Sequence, residues 1–236
     1  MNRIEELNRR DPEFFIIDDK NIMVIACDSC GGIGLKESDV LKAPNELVGR
    51  LTARVPVMEL LSLGVEIKTV SLTIINEPSP TGDEIIRGVK SELINYDLAY
   101  VISTEKNMKT SMTGLGITVI GLIEKDKLRL CDEDNYMVFI AGTPSVGEEV
   151  LTNEDIIFNQ EMIRELIKDD DVLEIIPCGS SGILGELSKL EGFDNLPYID
   201  NDLLNKSCGP ATAGVVLSKV DLSKKHKFLV AINKFI

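Results

Sequence analysis

The chain has 236 residues, 25 of them basic and 39 acidic, for a formal net charge of −14. Hydrophobic residues at 44% and charged residues at 27% fit a chain with a substantial core and argue against intrinsic disorder. An acidic chain with no basic block and no aromatic stacking set is not expected to bind nucleic acid. No apolar run reaches the ~18–20 residues that cross a bilayer. The N-terminal MNRIEELNRRDPEFF lacks the apolar core of a secretory leader, so a cytoplasmic protein away from membranes is expected.

Apolar runs of strand length lie at Phe14 to Ile17 and Ile22 to Cys27, separated by the turn-like Asp18-Asp19-Lys20-Asn21. The glycine-rich stretch from Asp28 to Gly34 follows directly and reads as a turn. A helix is predicted from about Asn45 to Leu63, ended by Gly64, with a kink or break at Pro56. Val65 to Ile75 alternates as a strand. A second helix starts near Thr81, where Thr81 and Glu84 have capping-box spacing; Ile85, Ile86, Val89, Leu93 and Ile94 recur on its core face. Strands follow at Leu98 to Ser103, Ile117 to Ile123 and Tyr136 to Ala141. A domain boundary is predicted near Gly142, dividing the chain into residues 1–141 and 142–236.

In the second half, Thr152 is placed to cap a helix over about 154–168, with Ile156, Ile157, Met162, Ile163, Leu166 and Ile167 on one face. Val172 to Ile176 reads as a strand, Pro177 to Gly182 as a turn leading into a helix through Leu190, and Phe228 to Ile232 as a terminal strand. Strands alternating with helices in both halves predict an α/β or α+β protein.

The five cysteines, Cys27, Cys30, Cys131, Cys178 and Cys208, are odd in number and argue against a disulfide framework. Cys27 and Cys30 have the spacing of a zinc or redox pair, but no second close pair supplies two more ligands. The plainer reading ends a buried strand at Cys27 and puts Cys30 in the following turn. The only histidine, His226, sits in Lys224-Lys225-His226-Lys227 and reads as a solvated surface residue, so no Ser-His-Asp or Cys-His site is expected. The P-loop pattern and the G-x-G-x-x-G pattern are both absent.

The acidic residues carry more information. Asp28 directly follows an apolar strand, Glu59 interrupts the apolar Val57-Met58-Glu59-Leu60-Leu61, and Glu105 follows the strand Leu98 to Ser103. As local structure, Asp28 and Glu105 are turn residues and Glu59 marks the edge of an amphipathic helix. As chemistry, three converging carboxylates would hold Mg²⁺, which takes oxygen ligands and keeps waters for phosphates. Glycine turns after strands also leave backbone amides for phosphate oxygens.

These residues lie within an ordered series: Asp28-Ser29-Cys30-Gly31-Gly32-Ile33-Gly34; Gly49-Arg50-Leu51-Thr52-Ala53-Arg54-Val55; Met58-Glu59-Leu60-Leu61-Ser62-Leu63-Gly64; Pro80-Thr81-Gly82; and Thr113-Gly114-Leu115-Gly116. Ile176-Pro177-Cys178-Gly179-Ser180-Ser181-Gly182 and Cys208-Gly209-Pro210-Ala211-Thr212-Ala213 continue it. The series resembles the aminoimidazole ribonucleotide synthetase superfamily, which includes thiamine monophosphate kinase and selenophosphate synthetase. The resemblance implies a two-domain α/β fold: an N-terminal ATP- and Mg²⁺-binding domain whose sheet pairs across a homodimer into a barrel, and a C-terminal α/β domain.

Carried over to this sequence, Asp28 matches the aspartate of the family's glycine-rich turn and becomes the catalytic and metal-binding residue. Glu59 and Glu105 stand at or near positions where family members have metal-binding aspartates, with a longer side chain. Asp18 and Asp19 stand where thiamine monophosphate kinase has paired aspartates, although the residues after them differ. The amides of Gly31, Gly32 and Gly34 would approach ATP phosphates, with Lys36 or Lys109 as the charge partner. Asn76, Glu77 and the turn Gly179, Ser180, Ser181, Gly182 would contact ribose or base. The implied activity is phosphoryl transfer from ATP to a small molecule. Ala26-Cys27-Asp28-Ser29, Thr52-Ala53-Arg54-Val55, Asn76-Glu77 and Ser103-Thr104-Glu105-Lys106-Asn107 are similar to the compact α-ribazole kinases of cobalamin salvage, which implies the 5′-hydroxyl of α-ribazole as acceptor. The alternatives are another acceptor, such as thiamine monophosphate, and a nucleotide-binding accessory protein without turnover.

Overall fold

The computed structural model describes residues 10–131, 135–190 and 202–232 in full and the backbone of residues 2–3. Most of the N-terminal stretch read above for a leader therefore lies outside the described residues. The chain divides into two units, Met1–Leu60 with Val65–Lys125, and Leu61–Gly64 with Asp126–Ile236.

The first unit carries β1 (Asn2–Arg3), β2 (Glu13–Ile16), β3 (Asn21–Gly31), β4 (Ile33–Gly34), β5 (Leu41–Lys42), α1 (Asn45–Ser62), β6 (Glu66–Ile74), α2 (Asp83–Glu92), β7 (Ala99–Thr104) and β8 (Gly114–Glu124). Its main sheet runs β1-β2-β3-β8-β6-β7, and β4 pairs with β5 apart from it. Every neighbour in the main sheet is antiparallel except β6 and β7, which α2 connects in parallel. Strand alternation gives the sheet two unlike faces. On β3, Ile22, Val24 and Ala26 are buried on one face, while Met23 and Ile25 on the other are half-exposed. The buried face lies under α1, where Leu60 comes against Gly121 of β8.

The two helices meet backbone to backbone. A Cβ on Gly88 would lie 1.9 Å from the Glu46 carbonyl oxygen, and one on Gly49 would lie 2.2 Å from that of Ile85. Asn45 Nδ2 donates to Glu84 at 2.8 Å and Arg87 to Glu46 at 2.5 Å beside this contact.

Several local expectations change here. Asp28 to Gly31 is extended strand rather than turn, because β8 pairs with it up to Gly31↔Gly114. Helix α1 runs through Pro56 without a break. Thr81 does not cap α2; a short π-type turn over Pro78–Gly82 precedes the helix, and the Thr81 hydroxyl donates to Glu77 instead. Ile85, Val89 and Leu93 are buried, but α2 ends at Glu92 and leaves Ile94 exposed.

The second unit carries β9 (Met137–Gly142), α3 (Glu149–Thr152), α4 (Gln160–Leu166), β10 (Val172–Pro177), α5 (Gly182–Leu187), α6 (Asp202–Asn205), β11 (Ala213–Ser218) and β12 (Leu229–Ala231). Its antiparallel sheet runs β10-β11-β9-β12. The boundary expected near Gly142 thus falls between Lys125 and Asp126, because β9 hydrogen-bonds to β11 and β12. The helix expected over 154–168 is shorter, α4 alone, and a separate short helix, α3, precedes the span. Thr152 ends α3, and α4 is capped by Asn159, whose side chain accepts from the Met162 amide at 3.0 Å. Ile157, Ile163 and Leu166 are buried, whereas Ile156 is exposed in the connection. Among the described residues no helix is long and apolar enough to cross a membrane.

His226 is buried, contrary to its charged sequence context. Its Nδ1 lies 2.6 Å from Glu165 Oε1 and its Nε2 2.8 Å from Asp169 Oδ2, and Asp169 also pairs with Lys225 at 2.6 Å. Arg129 donates to the carbonyls of Ile167, Asp169 and Val172 nearby, closing the end of α4. Burial alone would raise the Asp169 carboxyl, but hydrogen bonds from Lys225, His226 and the Asp171 amide outweigh it and hold the group at about 2.

Two outcomes follow for stability. Gly88→Ala is expected to lower the melting point by the equivalent of about 1–3 kcal/mol, since the added methyl has a carbonyl oxygen in its place. Asp169 is depressed on folding, so its contribution is present above its unfolded value of 3.8 and lost as pH falls toward about 2. Urea unfolding of the wild type should therefore weaken across that window, and Asp169→Asn should flatten the dependence.

Candidate functional site

The ends of β3, β6 and β7 and the start of β8 lie together, because Cys30, Leu115, Ile74 and Thr104 are neighbours across the sheet. Three loops leave this end: residues 32–42, 75–82 and 105–113. Buried polar side chains tie them together. Asp39 accepts from the Thr113 amide and hydroxyl, each at 2.7 Å, and from the Lys36 amide at 2.8 Å. Asn76 Nδ2 donates to Thr110 Oγ1 and to the Met112 carbonyl, both at 2.7 Å, and its Oδ1 accepts from the Gly114 amide at 3.0 Å. The Asn76 carbonyl accepts from Glu105 N at 3.0 Å. Lys36 Nζ lies 2.5 Å from Glu77 Oε2, and Thr81 Oγ1 donates to Glu77 Oε1 at 2.5 Å.

The three candidate metal carboxylates do not converge. Asp28 lies on the helix-covered face of β3, opposite Ile117. Glu59 is buried in α1 and paired with Arg10 at 3.2 Å. Glu105 follows β7 and accepts from the amides of Asn107 and Met108 at 2.6 and 3.0 Å, which makes it a loop-capping residue. Three strand-to-strand steps separate β3 from β7, roughly 14 Å at the usual spacing. Among the described residues, no three Asp, Glu, His or Cys side chains gather to hold a metal ion.

Asp28 differs from the other two. Burial pushes its carboxyl up, with only the Ser29 amide opposing, and no described cation pairs with it. Unlike Glu59 it has no described cation beside it, and unlike Glu105 its carboxyl is pushed up rather than down. Asp18, by contrast, accepts from the Lys20 and Asn21 amides and the Asn21 side chain, and shapes the β2–β3 turn. It precedes β3, whose first residue is seven steps from Asp28, roughly 24 Å of strand.

Gly31 is extended in β3 and the Gly32 amide donates to the Thr113 carbonyl at 2.9 Å. Gly34 is needed for close approach: a Cβ there would lie 2.3 Å from Thr113 Oγ1 and 2.8 Å from Asp39 Oδ2. Lys36 is half-buried and paired with Glu77, while Lys109 is exposed in its loop. Asn76 is fully buried with its side chain spent on the loops, so it positions them rather than facing a ligand. The turn Gly179, Ser180, Ser181, Gly182 belongs to the second unit. There Ser181 Oγ donates to Glu186 at 2.9 Å and the Gly179 carbonyl accepts from Cys208 N at 3.0 Å.

Cys27 and Cys30 are separated by strand alternation. An odd spacing along β3 puts Cys27 on the outer face and Cys30 on the helix-covered face, where it hydrogen-bonds with Thr52. Burial raises the Cys30 thiol, and both Asp28 and Asp39 add to the shift. The pair holds neither a shared metal nor a disulfide in this fold. Asp39 was not legible as a site residue: it is an ordinary loop residue in sequence, and the pairing of β3 with β8 brings it to Thr113, while Thr81 meets Glu77 within one loop.

No family profile matches the chain, and no curated protein is similar to it. Solved structures do match. AaThiL complexed with AMPPCP and TMP superposes with a TM-score of 0.61 at 13% identity, over 94% of this chain and 83% of that one. The thiamine-monophosphate kinase of Stenotrophomonas maltophilia K279a gives 0.56 at 14% identity, over 93% and 84%. Thermotoga maritima PurL complexed with ADP gives 0.60 at 14% identity, over 93% of this chain but 40% of its own length. The likeness is one of fold. It bears out the two-domain α/β architecture that the sequence resemblance implies.

Asp28→Asn should leave the protein folded with an unchanged or higher melting point at neutral pH, because it removes a half-buried charge without a described cation. The raised carboxyl means that the charged form is disfavoured on folding, so any gain should shrink as pH falls and the wild-type group protonates. Thermal melts of both proteins across pH 4–8 read this out.

Proposed function

We propose that the chain is an ATP-dependent phosphotransferase acting on a small molecule, with nucleotide phosphates at the loop end of the first sheet. The observation that carries the reading is Asp28, a half-buried carboxylate with no described cation, three residues before the end of the strand β3, where three loops meet. Mg²⁺ carried in with ATP would supply the missing charge and neutralise the transferred group. Asp28 would hold that cation, and Lys36 would meet a phosphate oxygen. Asp39 and Asn76 keep the loops rigid enough to bring those groups to one place.

For the acceptor, thiamine monophosphate comes first. Supporting this is the end-to-end fold likeness to a thiamine-monophosphate kinase and to AaThiL, the latter holding AMPPCP and TMP. The α-ribazole acceptor rests on the sequence features around Asp28, Thr52, Asn76 and Glu105 alone.

The homodimer belongs to the same reading. The outer face of the first sheet carries half-exposed Phe15, Met23 and Ile25, and Val101, across the sheet on β7, is 64% exposed. The sheet is open, with β1 and β7 at its edges. A second copy packed on this face would cover the apolar side chains and close the sheet into a barrel.

Incubation with Mg-ATP and a panel containing thiamine monophosphate, α-ribazole and related nucleosides, scored by product mass, tests the activity. One phosphorylated acceptor with matching ADP is expected. Nucleotide binding without any product would instead indicate an accessory protein, and absence of nucleotide binding would end the proposal. On the acceptor found, Asp28→Asn should lower the rate by about 10²-fold or more. Val101→Asp should shift the sedimentation of a dimer toward monomer.

A further inference from the structure

Glu77 was read from sequence as a ligand contact, but both of its oxygens are engaged within the first unit. We propose that Glu77 is the positioning residue for Lys36, and that with Thr81 it fixes the Lys36 ammonium where it receives a ligand phosphate. The inference rests on the phosphotransferase reading and deepens it.

The geometry has three parts. Glu77 Oε2 takes Lys36 Nζ at 2.5 Å while Oε1 takes the Thr81 hydroxyl at 2.5 Å, so the carboxylate is oriented before it orients the lysine. The backbone on each side is anchored. Lys36 N donates to Asp39 at 2.8 Å, its carbonyl accepts from Asp39 N and Lys42 Nζ, and the Glu77 carbonyl accepts from Gly82 N at 3.0 Å. The pair itself stays within reach of solvent, with the lysine side chain 22% and the glutamate 34% exposed. An ammonium carries three donors; Glu77 takes one and leaves two for phosphate oxygens.

Other roles for Glu77 fit less well. Burial would raise its carboxyl, but hydrogen bonds from Lys36 and Thr81 outweigh this and hold it at about 2. A group with so little proton affinity is a poor general base at neutral pH. An ordinary exposed ion pair would not need a second side chain to orient its carboxylate. The lysine–glutamate pair is also a charge pair that forms before any ligand arrives, which keeps the ammonium from sampling rotamers in solvent and lowers the ordering cost on binding.

The test measures affinity for Mg-AMPPCP and for inorganic tripolyphosphate by calorimetry, with KM and kcat for ATP alongside. The variants are Lys36→Met, Glu77→Gln, Glu77→Asp, Thr81→Val and the Lys36→Met/Glu77→Gln double, each checked by thermal melting. Lys36→Met should weaken both probes by about tenfold, the loss of one charge-assisted contact. Glu77→Gln should weaken them severalfold through KM with kcat within about twofold, Glu77→Asp should recover part, and Thr81→Val should cost less. The double variant should be no weaker than Lys36→Met alone, because Glu77 acts only through the lysine. Glu77→Gln at wild-type affinity, or a double variant showing the full sum of both losses, overturns the inference while leaving the phosphotransferase reading standing. If Glu77→Gln does not fold, Thr81→Val and Glu77→Asp decide: wild-type affinity in both overturns the inference. Wild-type protein that binds neither probe overturns both.

Discussion

Antiparallel pairing of β3 with β8 holds the first unit in order, in register from Asn21↔Glu124 to Gly31↔Gly114. It sets which face each side chain occupies, and a slip of one residue would turn Asp28 outward and Cys27 inward. It also brings the loop after β3 to the loop before β8. Asp39 and Thr113, 74 residues apart, meet only because of this register, and so do Gly32 and the Thr113 carbonyl. The candidate site is a consequence of strand pairing, with the loops locked onto the end of a sheet.

The carboxylates around that end are sorted by their partners. Asp39 is saturated by donors and structural. Glu77 is held low by Lys36 and Thr81, Glu105 by the amides it caps, and Glu59 faces Arg10. Asp28 is raised, by burial that no described cation offsets, where Asp39, Glu77 and Glu105 are lowered. A buried charge without a counterion opposes folding, and sites that bind a charged ligand accept that cost. That contrast, rather than any cluster of acids, is what singles Asp28 out.

Much of the architecture was legible in the sequence, and for identifiable reasons. The alternation through Ile22 to Ala26 and the spacing of Ile85, Val89 and Leu93 report burial directly, although β3 runs on through Asp28 to Gly31. What was not legible depends on contacts between distant segments. Nothing local shows that Met137 to Gly142 pairs with Ala213 to Ser218, so the domain boundary was set too late. Nothing near His226 shows that Glu165 and Asp169 enclose it, and its lysine neighbours point the other way. The glycine stretch resembled a phosphate cradle, yet Gly34 is there because Thr113 and Asp39 pack against it. Cys27 and Cys30 kept the spacing of a metal pair, and the strand's two-residue period separates them.

Backbone amide NMR during titration with Mg-AMPPCP tests the central claim most directly, since it reports where a nucleotide binds without requiring turnover. The account predicts saturable shifts centred on Asp28 and on residues 32–42, 75–82 and 105–113. Saturable binding whose shifts fall only in the second unit, or no binding at millimolar nucleotide, would contradict it.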